Sequence, residues 1–214
     1  MDSGLSEGLE ILEKRQSLLD KMLKVSLFFV VVQLIFEIAE LAEYYDTEAE
    51  IATAMDWIYI GSSLGYAVVI FSTMVVFGMW IHRATKNIVQ ADVPGFNHSP
   101  GWAVGWYFVP IANLFKPFQI MRQIWNVSHG HWVELDRGNN LLTLWWTLWI
   151  ITNIATNVSF RLYMRAKTAD DLFSAQILAI VSSAGDLVLY PVAILMVAAI
   201  TKAQLSSKLI VPQA

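Results

Sequence analysis

Four runs of mostly apolar residues, 23–45, 54–81, 141–163 and 172–201, constrain this chain more than anything else in it. Each is at least as long as the roughly 20 residues that a helix needs to cross about 30 Å of hydrocarbon. Only 15% of the residues are charged, against about 25% in soluble domains. The predicted class is therefore all-α: an integral membrane bundle of four transmembrane helices, with lipid bilayer as its principal partner.

A fifth apolar run, Gly101–Phe115, is too short to cross. As a helix it would rise roughly 22 Å. It contains Pro110, is flanked by Pro100 and Pro117, and carries Gly101-x-x-x-Gly105, a spacing that predicts close packing against a neighbour. It passes into an amphipathic stretch with Lys116 and Arg122 on its polar side. Residues 101–127 are read as a re-entrant or interfacial segment, because unpaired backbone groups are not tolerated facing lipid.

Residues 1–22 read as an amphipathic N-terminal helix, 23–201 as a single membrane domain, and 202–214 as a cytoplasmic tail. In the first of these, Leu5, Leu9, Leu12, Leu19 and Leu23 follow helical spacing and Glu10 pairs with Lys14. Such a helix lies on the membrane surface or forms a seam between subunits.

The basic residues set the orientation. With four crossings, eleven of the fourteen Lys and Arg fall on one side, leaving only Arg161, Arg165 and Lys167 opposite. With five, the division is nine against five. The acidic loop of Asp46, Glu48, Glu50 and Asp56 suits the outer face. Four spans with both termini cytoplasmic is the expectation. Eight of the nine tryptophans lie between Trp80 and Trp149, so Trp102, Trp106, Tyr107, Trp125, Trp132, Trp145 and Trp146 are expected to form an interfacial belt.

Polar residues inside the spans carry the functional reading. An ionisable side chain at mid-membrane costs about 2.5–3.5 kcal/mol on insertion scales, and it faces a bundle interior or a wet cavity. Gln33, Glu37, Glu40 and Tyr44 share one face of the first span. Ser182, Ser183, Asp186 and Tyr190 share a face of the fourth, and Asn153 and Asn157 a face of the third. Glu37, Glu40 and Asp186 have no Lys, Arg or His at matching depth. They are either protonated or line water and attract cations. The competing reading is helix-to-helix hydrogen bonding, and it is preferred for the asparagines.

Other chemistry finds little support. The chain has no cysteine, which removes disulfides, thiol catalysis and thiolate metals. A net charge of −4 argues against a nucleic-acid duplex as partner. His129-Gly130-His131, with His82 and His98, is too weak a pattern for a metal or haem. No phosphate-cradling, hydrolase or metalloprotease motif occurs, so no cofactor is expected.

The middle of the chain carries Trp80-Ile81-His82-Arg83-Ala84-Thr85-Lys86-Asn87, then SPGWAVGWYFVPIANLFKPF from Ser99 to Phe118, then Met121-Arg122-Gln123-Ile124-Trp125 and the pair Trp145-Trp146. From about Met79 to Ile151 it resembles a bacterial multi-pass membrane family known only as a domain of unknown function. The family's aromatic after W-I is His82 here. The resemblance implies a bacterial inner-membrane location and no established activity.

Three readings follow. In the first, the chain is an oligomeric cation- or proton-conducting channel or transporter subunit, gated from the cytoplasmic side. Glu37, Glu40 and Asp186 would face the path, and Asn153 and Asn157 would line it. In the alternative, it is a non-conducting sensor or scaffold. Its basic cytoplasmic rim, Arg83, Lys86, Asn87, Lys116 and Arg122 with Asn113 and Asn126, would bind an anionic lipid, nucleotide or protein partner. A membrane enzyme is the third reading, supported only by histidines and carboxylates predicted at different depths.

Overall fold

A computed structural model describes residues 3–42 and 54–206, and among these it contains helices and no strands. Tyr44 and the acids Asp46, Glu48 and Glu50 lie outside the described residues, as does the tail beyond 206. In chain order the elements are α1 (Ser3–Leu41), α2 (Ala54–Gln90), α3 (Pro100–Gly105), two short 3-10 turns (Trp106–Phe108 and Ala112–Leu114), α4 (Lys116–Ser128), α5 (Asn140–Tyr163) and α6 (Ala169–Leu205). Four of them, α1, α2, α5 and α6, are long and apolar enough to cross a membrane. This is a membrane protein with four transmembrane helices.

The long helices overrun the hydrocarbon. At 37 residues, α2 extends about 55 Å, so its amphipathic end from His82 to Gln90 continues the same helix. It stops where Asp92 turns to a positive φ of 51° ahead of Pro94 and Gly95. The expected boundary at residue 22 falls inside α1, which has no Gly or Pro after Gly8 to break it. Its leucine face is not left for a membrane surface: Leu5, Leu9, Leu12, Leu19 and Leu23 are all buried within the chain.

The fold divides into two compact units. The first takes residues 3–21, Thr73–Trp146 and 192–206. Its core is Leu9, Leu12 and Leu19 of α1, Trp80, Ile81, Ala84 and Ile88 of α2, Ile120, Met121, Ile124 and Val127 of α4, and Met196, Val197 and Ile200 of α6. The i, i+4, i+7 spacing of Ile120, Ile124 and Val127 is what makes α4 amphipathic. Trp145 and Trp146 are buried here as well. They contribute to the core of the unit, and Trp146 Nε1 donates to the Leu114 carbonyl at 3.1 Å.

The short segment is no single helix. Ser99 caps α3 through the Trp102 amide, with Pro100 in its first turn. The chain then reverses through the two 3-10 turns. Neither glycine of Gly101-x-x-x-Gly105 packs on another element: a Cβ on Gly101 would meet nothing within 4 Å, and one on Gly105 would touch only Trp102. The close approach is made by Gly78 of α2, where a Cβ would stand 3.3 Å from Val104.

The second unit takes Met22–Ser72 and Thr147–Pro191. Phe29 lies over Gly65, where a Cβ would stand 3.1 Å from the ring, and stacks on Tyr66. Ser182 ties α5 to α6, sharing a hydrogen with Thr156 at 2.6 Å and donating to the Thr152 carbonyl at 3.1 Å. Ser159 donates to Ala175 O at 2.8 Å.

Candidate functional site

Polar groups in the second unit form a series of rungs between α1, α2, α5 and α6. The helical spacing that put Gln33, Glu37 and Glu40 on one face of α1 turns that face towards the unit's interior. Glu37 Oε1 accepts a hydrogen bond from Ser183 Oγ at 2.9 Å, while Oε2 is buried and has no hydrogen-bond partner. Three residues further along α6, Asp186 stands beside Thr152, whose methyl is so close to Gly185 that a Cβ there would sit 2.6 Å from it. One turn back along α1, Gln33 donates to Ser62 and Ser63 at 3.4 and 3.2 Å. Next come the Tyr66 and Tyr190 hydroxyls, 3.4 Å apart.

Along α1 and α6, Lys and Arg stand well away in sequence from Glu37 and Asp186. Along α1 the nearest basic residue to Glu37 is Lys24, about 20 Å away by helical rise. On α6 no Lys or Arg occurs before Lys202. Glu37 and Asp186 are brought close enough to repel each other, and Glu40 lies near Glu37 on the same helix. In hydrocarbon, a carboxyl oxygen with no donor is supplied by its own proton or by something that arrives from outside.

Asn153 and Asn157 do not join these acids. The buried stripe of α5 is Thr152, Ala155 and Ser159, and the asparagines sit more than about 90° round the helix from it. Both are exposed, and each donates its amide to the carbonyl four residues earlier, Trp149 O at 2.7 Å and Asn153 O at 2.8 Å.

The basic collar of the first unit is divided. Arg83 is buried; its Nε donates to Asn87 Oδ1 at 2.8 Å and its Nη2 to Gln90 at 2.7 Å. Asn87 is fully buried and donates to the Gly8 carbonyl at 3.4 Å and to Gln204 at 3.1 Å. Gln204 in turn donates to Ala84 O at 3.2 Å and Ser128 Oγ at 3.1 Å. Sequence reasoning missed this knot. Its one signal is that Gln204 stands on the α6 stripe of Val197, Ile200 and Thr201.

Arg122 pairs with Asp136 at 3.0 Å and lies over the Phe118 ring. Asn126 donates to Leu135 O and Arg137 O at 2.8 and 3.0 Å, pinning the following loop. Lys86 is exposed, and Lys116 Nζ stands 5.9 Å from the ring centres of both Trp106 and Phe115.

Residues 44–202 match the family model described as a domain of unknown function, DUF4328. The chain belongs to the DUF4328 family. No curated protein matches it, and no solved structure does. The DUF4328 match covers Ser183, Asp186, the Arg83–Asn87 pair and the short segment, while Gly8, Glu37 and Glu40 precede it.

Proposed function

We propose that this protein takes up and passes protons through the carboxyls of its second unit, as a channel or transporter subunit in a bacterial inner membrane with both termini cytoplasmic. The observation that carries the reading is the buried, unpartnered Oε2 of Glu37. Ser183, Asp186, Thr152 and the Tyr66–Tyr190 pair supply hydroxyls and a second carboxyl at successive turns. A dehydrated Ca²⁺ takes about six to eight oxygens converging on one point. These groups come in ones and twos, which suits a proton.

Asn153 and Asn157 support self-association rather than a lining role. Two carboxamides exposed near the middle of an apolar helix favour a second helix over lipid, and a second copy offers the same pair. Arg83, Asn87 and Arg122 direct their hydrogen bonds within the chain, so an anion-binding rim would rest on Lys86 and Lys116.

The test is proton flux into proteoliposomes with a trapped pH-sensitive dye under an imposed potential. Glu37→Gln and Asp186→Asn should each reduce flux towards that of empty vesicles, and Lys86→Gln should leave it unchanged. Wild-type flux no greater than that of empty vesicles, or full flux in both acid variants, would remove the reading.

A further inference from the structure

The reversal between α3 and α4 ends in a tip of large apolar side chains. Phe108 and Ile111 are 80% and 76% exposed, Leu114 and Phe115 are also exposed, and Trp102 flanks them. A tip like this in water would be an aggregation hazard. Much of its backbone, however, is paired within the turn. Ala112 N donates to Pro110 O at 2.7 Å, Asn113 N to Val109 O at 2.9 Å, Leu114 N to Ile111 O at 3.1 Å and Phe115 N to Ala112 O at 3.2 Å. Pro110 and Pro117 have no N–H to satisfy, and Leu114 O is also taken by Trp146. Internal pairing of this kind lowers the cost of bringing non-helical backbone up against hydrocarbon.

Its depth is fixed by α2 within the same unit. Val104 lies against Gly78, and Tyr107 meets the Phe77 ring edge-on at 6.3 Å between centres. At that level α2 presents Met74, Val75 and Met79 outward, all exposed and apolar on a transmembrane helix. At the base of the tip, the Lys116 ammonium stands over Trp106 and Phe115. An aromatic pair with a long cationic side chain is the arrangement found where hydrocarbon gives way to headgroups.

We infer that the Phe108–Phe115 tip is a bilayer-inserting hairpin: Phe108 and Ile111 sit among the acyl chains of one leaflet, with Lys116 at its phosphates. The occupant of this apolar face is lipid, not a second copy of the chain.

The absence of native cysteine makes the test direct. Ile111→Cys and Phe108→Cys, each labelled with an environment-sensitive fluorophore and reconstituted in vesicles, are compared with Met74→Cys as a lipid-facing reference. Val133→Cys, at a loop position 96% exposed, is the aqueous reference. Nitroxide on the lipid acyl chains should quench the Ile111 and Phe108 sites as it does Met74, and aqueous iodide should quench only Val133. Quenching of both tip sites by iodide would overturn the proposal. So would insensitivity to both quenchers with disulfide-linked dimers forming through the unlabelled Ile111→Cys chain.

Discussion

Asn87 Nδ2 donates to Gln204 Oε1 at 3.1 Å, and both side chains are fully buried. Between them they tie α2 and α6 to the α1 carbonyl of Gly8 and to Ser128 at the end of α4. An amide pair in such a place is stabilising only when complete. Asn87→Leu or Gln204→Leu should each cost about 1–3 kcal/mol, because the surviving amide loses its partner in a site without water. The double variant should cost clearly less than the sum of the two. Reversible unfolding in mixed micelles measures all three, and strict additivity would show that the amides do not depend on each other.

Gly8 is the tightest point of that knot. A Cβ there would stand 1.7 Å from Arg83 Nη2 and 2.4 Å from Asn87 Oδ1. The guanidinium could swing away alone, but its Nε is bonded to the same Asn87 oxygen, so both must move. Gly8→Ala should destabilise by about 1–3 kcal/mol in spite of alanine's better helix propensity. Gly101→Ala meets nothing and should be neutral or mildly stabilising. Thermal melts of the two variants in one detergent separate these outcomes.

Why one half of the molecule was legible and the other was not follows from these contacts. Apolar runs and their periodicity are local, so the four spans and the shortness of the fifth run could be read from the sequence. Partnership is not local. The leucine face of α1 is evident from its spacing, yet nothing near it says that α2 residues some 75 positions later will cover it. The same gap let the sequence place Asn153 and Asn157 on one face of α5 and expect them to line the path, whereas the buried stripe of that helix is elsewhere. Gln204 was invisible for the opposite reason: a single amide near a helix end reads as solvated until its partners are known.

Acid should loosen the loop that carries His98. Burial holds this imidazole below its ordinary pKa of 6.5, with Lys116 adding to the effect and Gln123 and Asp136 opposing it. A histidine whose folded pKa is depressed binds protons more readily when unfolded. Its contribution is therefore complete above about 6.5 and is lost as pH falls through the folded value. Asp136, held low by Gln123 and Arg122, loses its own contribution only in the carboxylate range well below that. An NMR titration of the His98 ring should give a midpoint under 6.5, and His98→Gln should flatten the pH dependence of stability between about 7 and 5. A midpoint at or above 6.5 would contradict the burial.

Ile111 carries the strain of the chain reversal. With φ 67° and ψ −51°, and Ala112 N bonded to Pro110 O at 2.7 Å, it is the centre of a tight γ-turn. That conformation is strained for any L residue and most of all for a β-branched one. Strain at such a position costs on the order of 1–3 kcal/mol, and glycine relieves it while adding about 0.4–1 kcal/mol of unfolded-state entropy. Ile111→Gly should therefore raise stability in detergent by about 1 kcal/mol, and Ile111→Ala, which keeps a Cβ at positive φ, should not. A more stable Gly variant would show that isoleucine is held there against the preference of the backbone. The proposed insertion of its side chain into hydrocarbon would account for that choice. An unchanged or lower stability would mean that the turn is unstrained, and the side chain would need no such explanation.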